Sequence, residues 1–288
     1  MATGNLQPQA IHSGPLQPLR DWISEVGAAV VGRTSAVGNF ALFSVRTISW
    51  LIIRPPNRET LLPTFYQVGV RSLPVVALTG TFIGMVLAVQ TYFQFSQLGL
   101  ATRLGAVINM TLVRELGPVL AATMLAGRVG SAMAAELGTM RVTEQIDALA
   151  SMGANPVQYL VVPRFVACLV LIPTLVVMAD FMGVVGGYVY SVFVLNIDMH
   201  HYRVNSAQYV AAWDLFYGLF KSLFFGATIA LVSCHRGFHC SPGAEGVGRA
   251  ATAAFVHSFV LILVIDLMLG IVLDKLYMTL WPSGAKLM

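Results

Sequence analysis

The chain has 288 residues, 57% of them hydrophobic and only 10% charged, with a formal net charge of +4 and a mean hydropathy of +0.75. Soluble domains carry about 25% charged residues. A chain of this length could not hide so much apolar surface in one core, so the composition excludes a soluble globular protein. It points instead to an all-α, multi-pass membrane protein. No nucleic-acid partner is expected.

Residues 1–19 are polar and Pro-containing and lack the apolar centre of a signal peptide, so they read as a flexible tail. Residues 20–60 read as interfacial elbow helices, in two pieces, 21–34 and 35–53. The second is nearly long enough to span. Arg46 sits inside it, and Arg33, Arg54 and Arg58 flank it, which disfavours translocating either end. It is therefore expected to lie in the membrane plane and turn back at Pro55-Pro56, with a sixth span as the alternative. Six of the 17 basic residues (Arg20, Arg33, Arg46, Arg54, Arg58 and Arg71) lie at or before the start of the first clear span. The positive-inside rule makes that end cytoplasmic.

Five spans follow, at 69–94, 105–136, 158–194, 213–235 and 251–280. Each exceeds the ~20 residues a bilayer needs. The loops at 137–157 and 236–250 then fall in the cytoplasm, and the loops at 95–104 and 195–212, with the C-terminus, fall outside. Arg128, Arg141, Arg164, Arg236 and Arg249 cluster at the inner face, and only Arg103 and Arg203 lie in outer loops. Late in the second span Ala126, Gly130, Ala134 and Gly138 recur every four residues, a stripe that lets helices approach closely. The spacing alone does not separate internal packing from a subunit interface.

Between spans two and three, "RVTEQIDALASMGANP" is charged in an apolar setting. Thr143 is expected to cap a short helix whose first turn holds Glu144 and Asp147, where the dipole favours acids. Gly153 and Asn155-Pro156 stop it. With Gln145 and Asp147 on the polar side and Ile146 and Leu149 on the apolar one, it reads as a surface-lying connector or a docking element.

Several chemistries have no support. GxxxxGK[ST], GxSxG and HExxH are all absent, so the chain carries no ATPase or familiar hydrolase motif of its own. The cysteines Cys168, Cys234 and Cys240 do not form a disulfide framework. In "CHRGFHC" the spacing of Cys234, His235, His239 and Cys240 matches no usual zinc pattern, so no metal is expected and the loop reads as a basic cap on a helix end.

The intramembrane charges are more informative. Arg114, Glu115, Asp180, Lys221 and Asp266 fall ~12–21 Å from the outer ends of four different spans. A charge facing lipid costs ~2.5–3.5 kcal/mol, so such residues face a partner or a wet cavity. Pro118 removes a hydrogen bond to the carbonyl of Arg114 and is expected to kink the span there. The pair Arg114 and Lys221 could hold a lipid phosphate, with Leu73, Val76, Leu78, Phe82 and Met85 lining an apolar slot for acyl chains. Alternatively the five charges only neutralise one another.

The segment 112–164, "LVRELGPVLAATMLAGRVGSAMAAELGTMRVTEQIDALASMGANPVQYLVVPR", resembles the signature region of the MlaE/YrbE-type permeases, the membrane subunits of ABC transporters that work with MCE-domain proteins. "GTFIGMVLAVQ" (80–90) and "GAEGVGRAAT" (243–252) resemble that family too. The resemblance covers about residues 60–280, making 61–288 the permease domain. It implies an interfacial N-terminal helix, five spans and a homodimer in the inner membrane, with the N-terminus cytoplasmic and the C-terminus periplasmic. It also implies a cytoplasmic ABC ATPase that supplies ATP chemistry, a periplasmic MCE-domain protein, and phospholipid or a related lipid as cargo. The matching Arg-Glu pair and lysine would border a lipid cavity at the dimer interface. Many ABC importers carry EAA-x3-G-x9-I-x-L-P in their coupling loop. "DALASMG" fits its start, but Pro163 comes three residues early, as expected of a separate permease class whose 144–149 helix contacts the ATPase. The competing reading is a proton- or ion-coupled secondary carrier using Asp180 and Asp266.

Overall fold

A computed structural model describes residues 17–97 and 104–280. Most of the expected tail, outer-loop residue Arg103 and the C-terminal residues 281–288 lie outside the described residues. The chain divides into two units, Met1–Val45 and Arg46–Met288.

The first unit holds most of α1 (Gln17–Ile53), one continuous helix where the sequence suggested two pieces. Gly32 and Gly38 lower helix propensity near the expected break, but neither removes a backbone donor, so the helix runs through. It stops just before Arg54, where Pro55-Pro56 cannot continue the ladder. Its segment Ser24–Ile53 is long and apolar enough to cross a membrane. Among the described residues six helices meet that criterion, the five expected spans and this one.

The second unit contains α2 (Arg58–Phe65), α3 (Leu73–Gln97), α4 (Leu104–Thr111), α5 (Gly117–Leu125), α6 (Ser131–Val142) and α7 (Gln145–Ser151). It continues with α8 (Val162–Phe193), α9 (Met199–Tyr209), α10 (Ala212–Phe238) and α11 (Ala244–Leu280). Single π-helical turns join several of these pieces, so the second span runs unbroken from Leu104 to Val142. The 195–212 segment is largely helix α9. Its N-cap Asp198 accepts the His201 backbone N–H at 3.0 Å, which holds its carboxyl below the usual range. Tyr202 on α9 is buried, and burial pushes its phenol up to about 12.

The packing centres on α8, and its closeness comes from missing side chains. A Cβ on Gly80 of α3 would lie 2.4 Å from the carbonyl oxygen of Ala179, and one on Gly84 1.9 Å from that of Gly183. Nearer the start of α8, Gly226 of α10 meets the Cys168 carbonyl, its added Cβ falling at 2.7 Å. The stripe in span two is internal: Ala126 and Ala134 are fully buried, Gly130 faces Ser233 and Ile229, and Gly138 faces Cys240. The core between these helices holds Val76, Leu125, Cys168, Ile172, Phe225, Ile229 and Ile262. By contrast only 17% of the apolar stretch of Ala244–Leu280 is buried, against 61% in Val157–Phe193, so α11 turns a broad apolar face outward.

Gly84→Val forces branched carbons into the Gly183 backbone, and overpacking of this kind costs ~3 kcal/mol. We expect it to abolish the monodisperse detergent-solubilised protein after mild heating. Gly127→Ala meets only the Phe255 ring at 3.5 Å and should leave the melting profile unchanged.

Candidate functional site

Span two is distorted where the intramembrane charges begin. The Gly117 N–H reaches back to the Leu112 carbonyl, closing a π-helical turn over Leu112–Leu116. Pro118 follows with no N–H to offer, so the expected break in the hydrogen-bond ladder falls at this π-helical turn. Two glycines bring neighbours against this turn. A Cβ on Gly218 of α10 would lie 2.4 Å from the Val113 carbonyl, and one on Gly117 would collide with the Asp180 carboxylate. Arg114 and Glu115 are thereby held beside α10.

Two ion-pair clusters result. The Lys221 ammonium, fully buried, donates to Glu115 Oε2 at 2.7 Å and lies 2.8 Å from Asp266 Oδ1. Arg114 bonds Asp274 and lies 3.9 Å from Asp214. The clusters share one aromatic ring. Arg114 Cζ and Lys221 Nζ stand 4.6 Å and 4.5 Å from the centroid of buried Tyr217, whose hydroxyl donates to the Gly270 carbonyl at 3.3 Å. Cation–π contact of this kind contributes ~2 kcal/mol when desolvated. Asp214, Tyr217 and Lys221 lie on one face of α10, and Asp266, Gly270 and Asp274 on one face of α11.

The expected polar layer is thus largely assembled. Glu115, Lys221 and Asp266 touch, and Arg114 joins them through Tyr217. Asp180 stands apart: it is 7% exposed on α8 beneath Gly117, and its Oδ1 has no hydrogen-bond partner. Sequence reasoning missed Asp214, Tyr217 and Asp274. Their signals were present as the 214, 217, 221 and 266, 270, 274 spacings. Asp214 also completes the N-terminus of α10, accepting the Ala211 N–H at 2.9 Å, and so passes for a helix cap. The inventory changes the electrostatics, because Arg114 and Lys221 are matched by four carboxylates, leaving the cluster net negative if all are ionised. Glu115 and Asp274 are the outer members, with side chains 41% and 48% exposed.

The expected acyl slot is not one surface. Leu78 and Phe82 are exposed, and Met85 is half-buried on the same side of α3, whereas Leu73, also exposed, lies about 140° round the helix from Leu78. Val76 is fully buried on the opposite side, in the α3–α8 core with Gly80 and Gly84. A four-residue spacing to Gly80 put it on the packing stripe.

The short helix α7 exists, but Thr143 does not cap it. The Thr143 hydroxyl donates to the Thr139 carbonyl of α6, and Glu144 takes the N-cap position at φ +59° with no capping side chain. Helix α7 therefore begins at Gln145. Ile146 is buried and Leu149 half-buried, while Glu144, Gln145 and Asp147 are exposed. Asp147 Oδ1 pairs with Arg141 at 2.5 Å. At the end of α10 the His235 and His239 rings stack at 4.3 Å, and Cys234 is buried.

A bundle of membrane-crossing helices, with paired charges inside it and no nucleotide-binding motif in its sequence, has the character of a transporter's membrane subunit. The model of the family described as Permease MlaE matches residues 61–272, so the chain belongs to the MlaE permease family. It is 43% identical over 241 residues to a probable ABC transporter permease protein of Rickettsia conorii, covering 84% of this chain and 93% of that one. It is 33% identical over 257 residues to the intermembrane phospholipid transport system permease protein MlaE of Haemophilus influenzae, covering 86% and 96%. It is 39% identical over 204 residues to the chloroplast protein TRIGALACTOSYLDIACYLGLYCEROL 1 of Arabidopsis thaliana, covering 71% and 58%.

Removing one partner of a buried ion pair strands the others and costs ~3–5 kcal/mol. Lys221→Met should therefore lower unfolding free energy in detergent by ~3 kcal/mol. Adding Glu115→Gln and Asp266→Asn should restore at least half, because the stranded charges go too. Equal stability of the single variant and wild type would refute the ion-pair assignment.

Proposed function

We propose that the chain is the permease subunit of an ATP-driven transporter that moves phospholipid between the inner membrane and the periplasmic side. It acts as a homodimer with a cytoplasmic ABC ATPase below and an MCE-domain protein outside. The observation that carries this reading is the Arg114–Tyr217–Lys221 cluster, set inside the membrane beside the sparsely buried α11. The cargo follows the name of the Haemophilus relative, and the ATP-driven class follows that of the Rickettsia relative. The apolar face of α11 suits a second copy, with the cluster near the seam. With α1 lying in the membrane plane, the other five helices cross, so the N-terminus is cytoplasmic, by the arginines around α1, and the C-terminus is periplasmic.

In this reading a lipid phosphate reaches the cations by displacing their outermost partners. Asp214 and Asp266 are the more buried carboxylates and remain as the lining. Glu115 and Asp274 swing away, because leaving toward solvent strands nothing. The exposed residues Leu78 and Phe82 give acyl chains an apolar surface on α3. Glu115→Gln, which removes a competing charge, should raise phospholipid per purified protein, while the Lys221→Met triple variant should lower it. Mass spectrometry of extracted lipid decides, and an unchanged ratio in both would leave the cluster a purely structural network.

Helix α7 is the proposed ATPase contact. Glu144→Lys with Asp147→Lys turns attraction into repulsion at such an interface, where a close charged pair contributes ~1.5 kcal/mol or more, so at least tenfold weaker association follows. The fold should survive, since the exposed Arg141–Asp147 pair contributes only ~0–1 kcal/mol. The test is recovery of an ATPase with the tagged protein from native membranes. Normal recovery with the double variant removes the coupling role. A wild-type protein that recovers no ATPase and moves lipid on a pH gradient would favour the proton-coupled carrier, for which the unpartnered oxygen of Asp180 is the motivating observation.

A further inference from the structure

A second charged site lies toward the other end of span two. A cavity of about 140 Å³ is lined by Arg71, Arg128 and Arg164, with Thr64, Gln67 and a buried apolar floor that includes Val68 and Val129. Its charge is unbalanced. Glu136 is the sole carboxylate in contact with these arginines among the described residues, and it is already held by Arg164 at 3.2 Å and by the Gln67 amide. Arg128 bonds the Ser72 hydroxyl and Arg71 lies 5.8 Å from the Tyr66 ring, but neither has an ion-pair partner among the described residues. Three guanidiniums thus face one acid.

Arg128 is fourteen residues from Arg114 along one continuous helical column, about 21 Å. Added to the ~12 Å at which Arg114 lies, this reaches the far side of a hydrocarbon layer of ~30 Å, the head-group level of the opposite leaflet. Guanidinium forks match phosphate oxygens, and partial burial strengthens that contact. Drug-sized ligands need cavities of about 300 Å³ or more, so this one accepts a group of phosphate size rather than a whole lipid. The acyl chains of such a lipid would stay in the bilayer beside the exposed side of α3, which starts two residues beyond Arg71.

We propose that the Arg71–Arg128–Arg164 cavity binds the head-group phosphate of a phospholipid in that leaflet, a site separate from the Lys221 cluster. The site needs no ATPase and no transport, so it is tested with the full chain alone. The protein is reconstituted in phosphatidylcholine nanodiscs carrying a trace of phosphatidylglycerol with a photoreactive group high on one acyl chain. Crosslink yield is read by mass spectrometry on peptides of α2–α3 and α5–α6, and separately on α10–α11.

Arg71→Gln should cut the α2–α3 and α5–α6 yield about tenfold, the loss expected for one charge-assisted phosphate contact, and leave the α10–α11 yield unchanged. Arg71 is exposed and in contact with a single ring, so this variant should fold. Arg164→Lys keeps the charge against Glu136 but loses the fork, and should give a smaller loss in the same peptides. Unchanged crosslinking in Arg71→Gln would overturn the proposal. Equal crosslinking by a diacylglycerol probe, which has the acyl chains but no head-group phosphate, would also overturn it.

Discussion

An apolar side chain gains nothing by leaving hydrocarbon for the side of another helix, so what holds this bundle together is close backbone approach. The α3–α8 seam shows it most directly. Gly80 and Gly84 sit so near the carbonyls of Ala179 and Gly183 that no side chain fits between them. The contact brings many atoms to van der Waals distance at once and gives each helix one register against the next. The same device sets the functional cluster, for Gly117 and Gly218 seat the distorted turn of span two between α8 and α10. Larger residues there would push Arg114 and Glu115 away from Tyr217 and Lys221.

That geometry decides the chemistry of the charged layer. Buried Lys221 is tolerable because two carboxylates and an aromatic face replace its water. The arrangement is graded, with Asp214 and Asp266 deep and Glu115 and Asp274 nearer the surface. A site built so can trade its outer anions for another anion while the inner pair keeps the cations in place.

Much of this was legible in the sequence. Five apolar stretches of sufficient length, separated by short polar loops, fixed the second unit nearly span by span. The charged residues inside them marked the cluster because hydrocarbon makes such residues rare. What the sequence hid was partnership. Tyr217 reads as one more aromatic in an apolar run, and Asp274 lies near a span end where acids are unremarkable. Val76 was misplaced because apolar residues abound on both sides of α3, and only the glycine spacing distinguishes the packed side. Thr143 was misread because a threonine at a helix junction can bond forward or back, and here the preceding helix continues far enough to claim it. The line of arginines around the second cavity comes from three separate segments, so no local motif joins it.

The π-helical turns connect these observations. The column from Leu104 to Val142 carries Glu115 in one such turn, Arg128 in a second, and ends one turn before α7. A π turn holds an extra residue, and returning to the α ladder rotates what lies beyond it by about 100°, one residue's share of a 3.6-residue turn. Under the proposed coupling, a displacement of α7 acts first on α6, the helix it adjoins. The second π turn is the first place along the column where that displacement can become a rotation, and the turn over Leu112–Leu116 is the next. Each carries an arginine of a proposed phosphate site, so a register change at either would alter phosphate contacts, while the Gly80 and Gly84 contacts of the α3–α8 seam lie on other helices. The rigid α3–α8 seam and the adjustable turns of span two thus lie on different helices, which is how a tightly packed bundle keeps a movable binding layer.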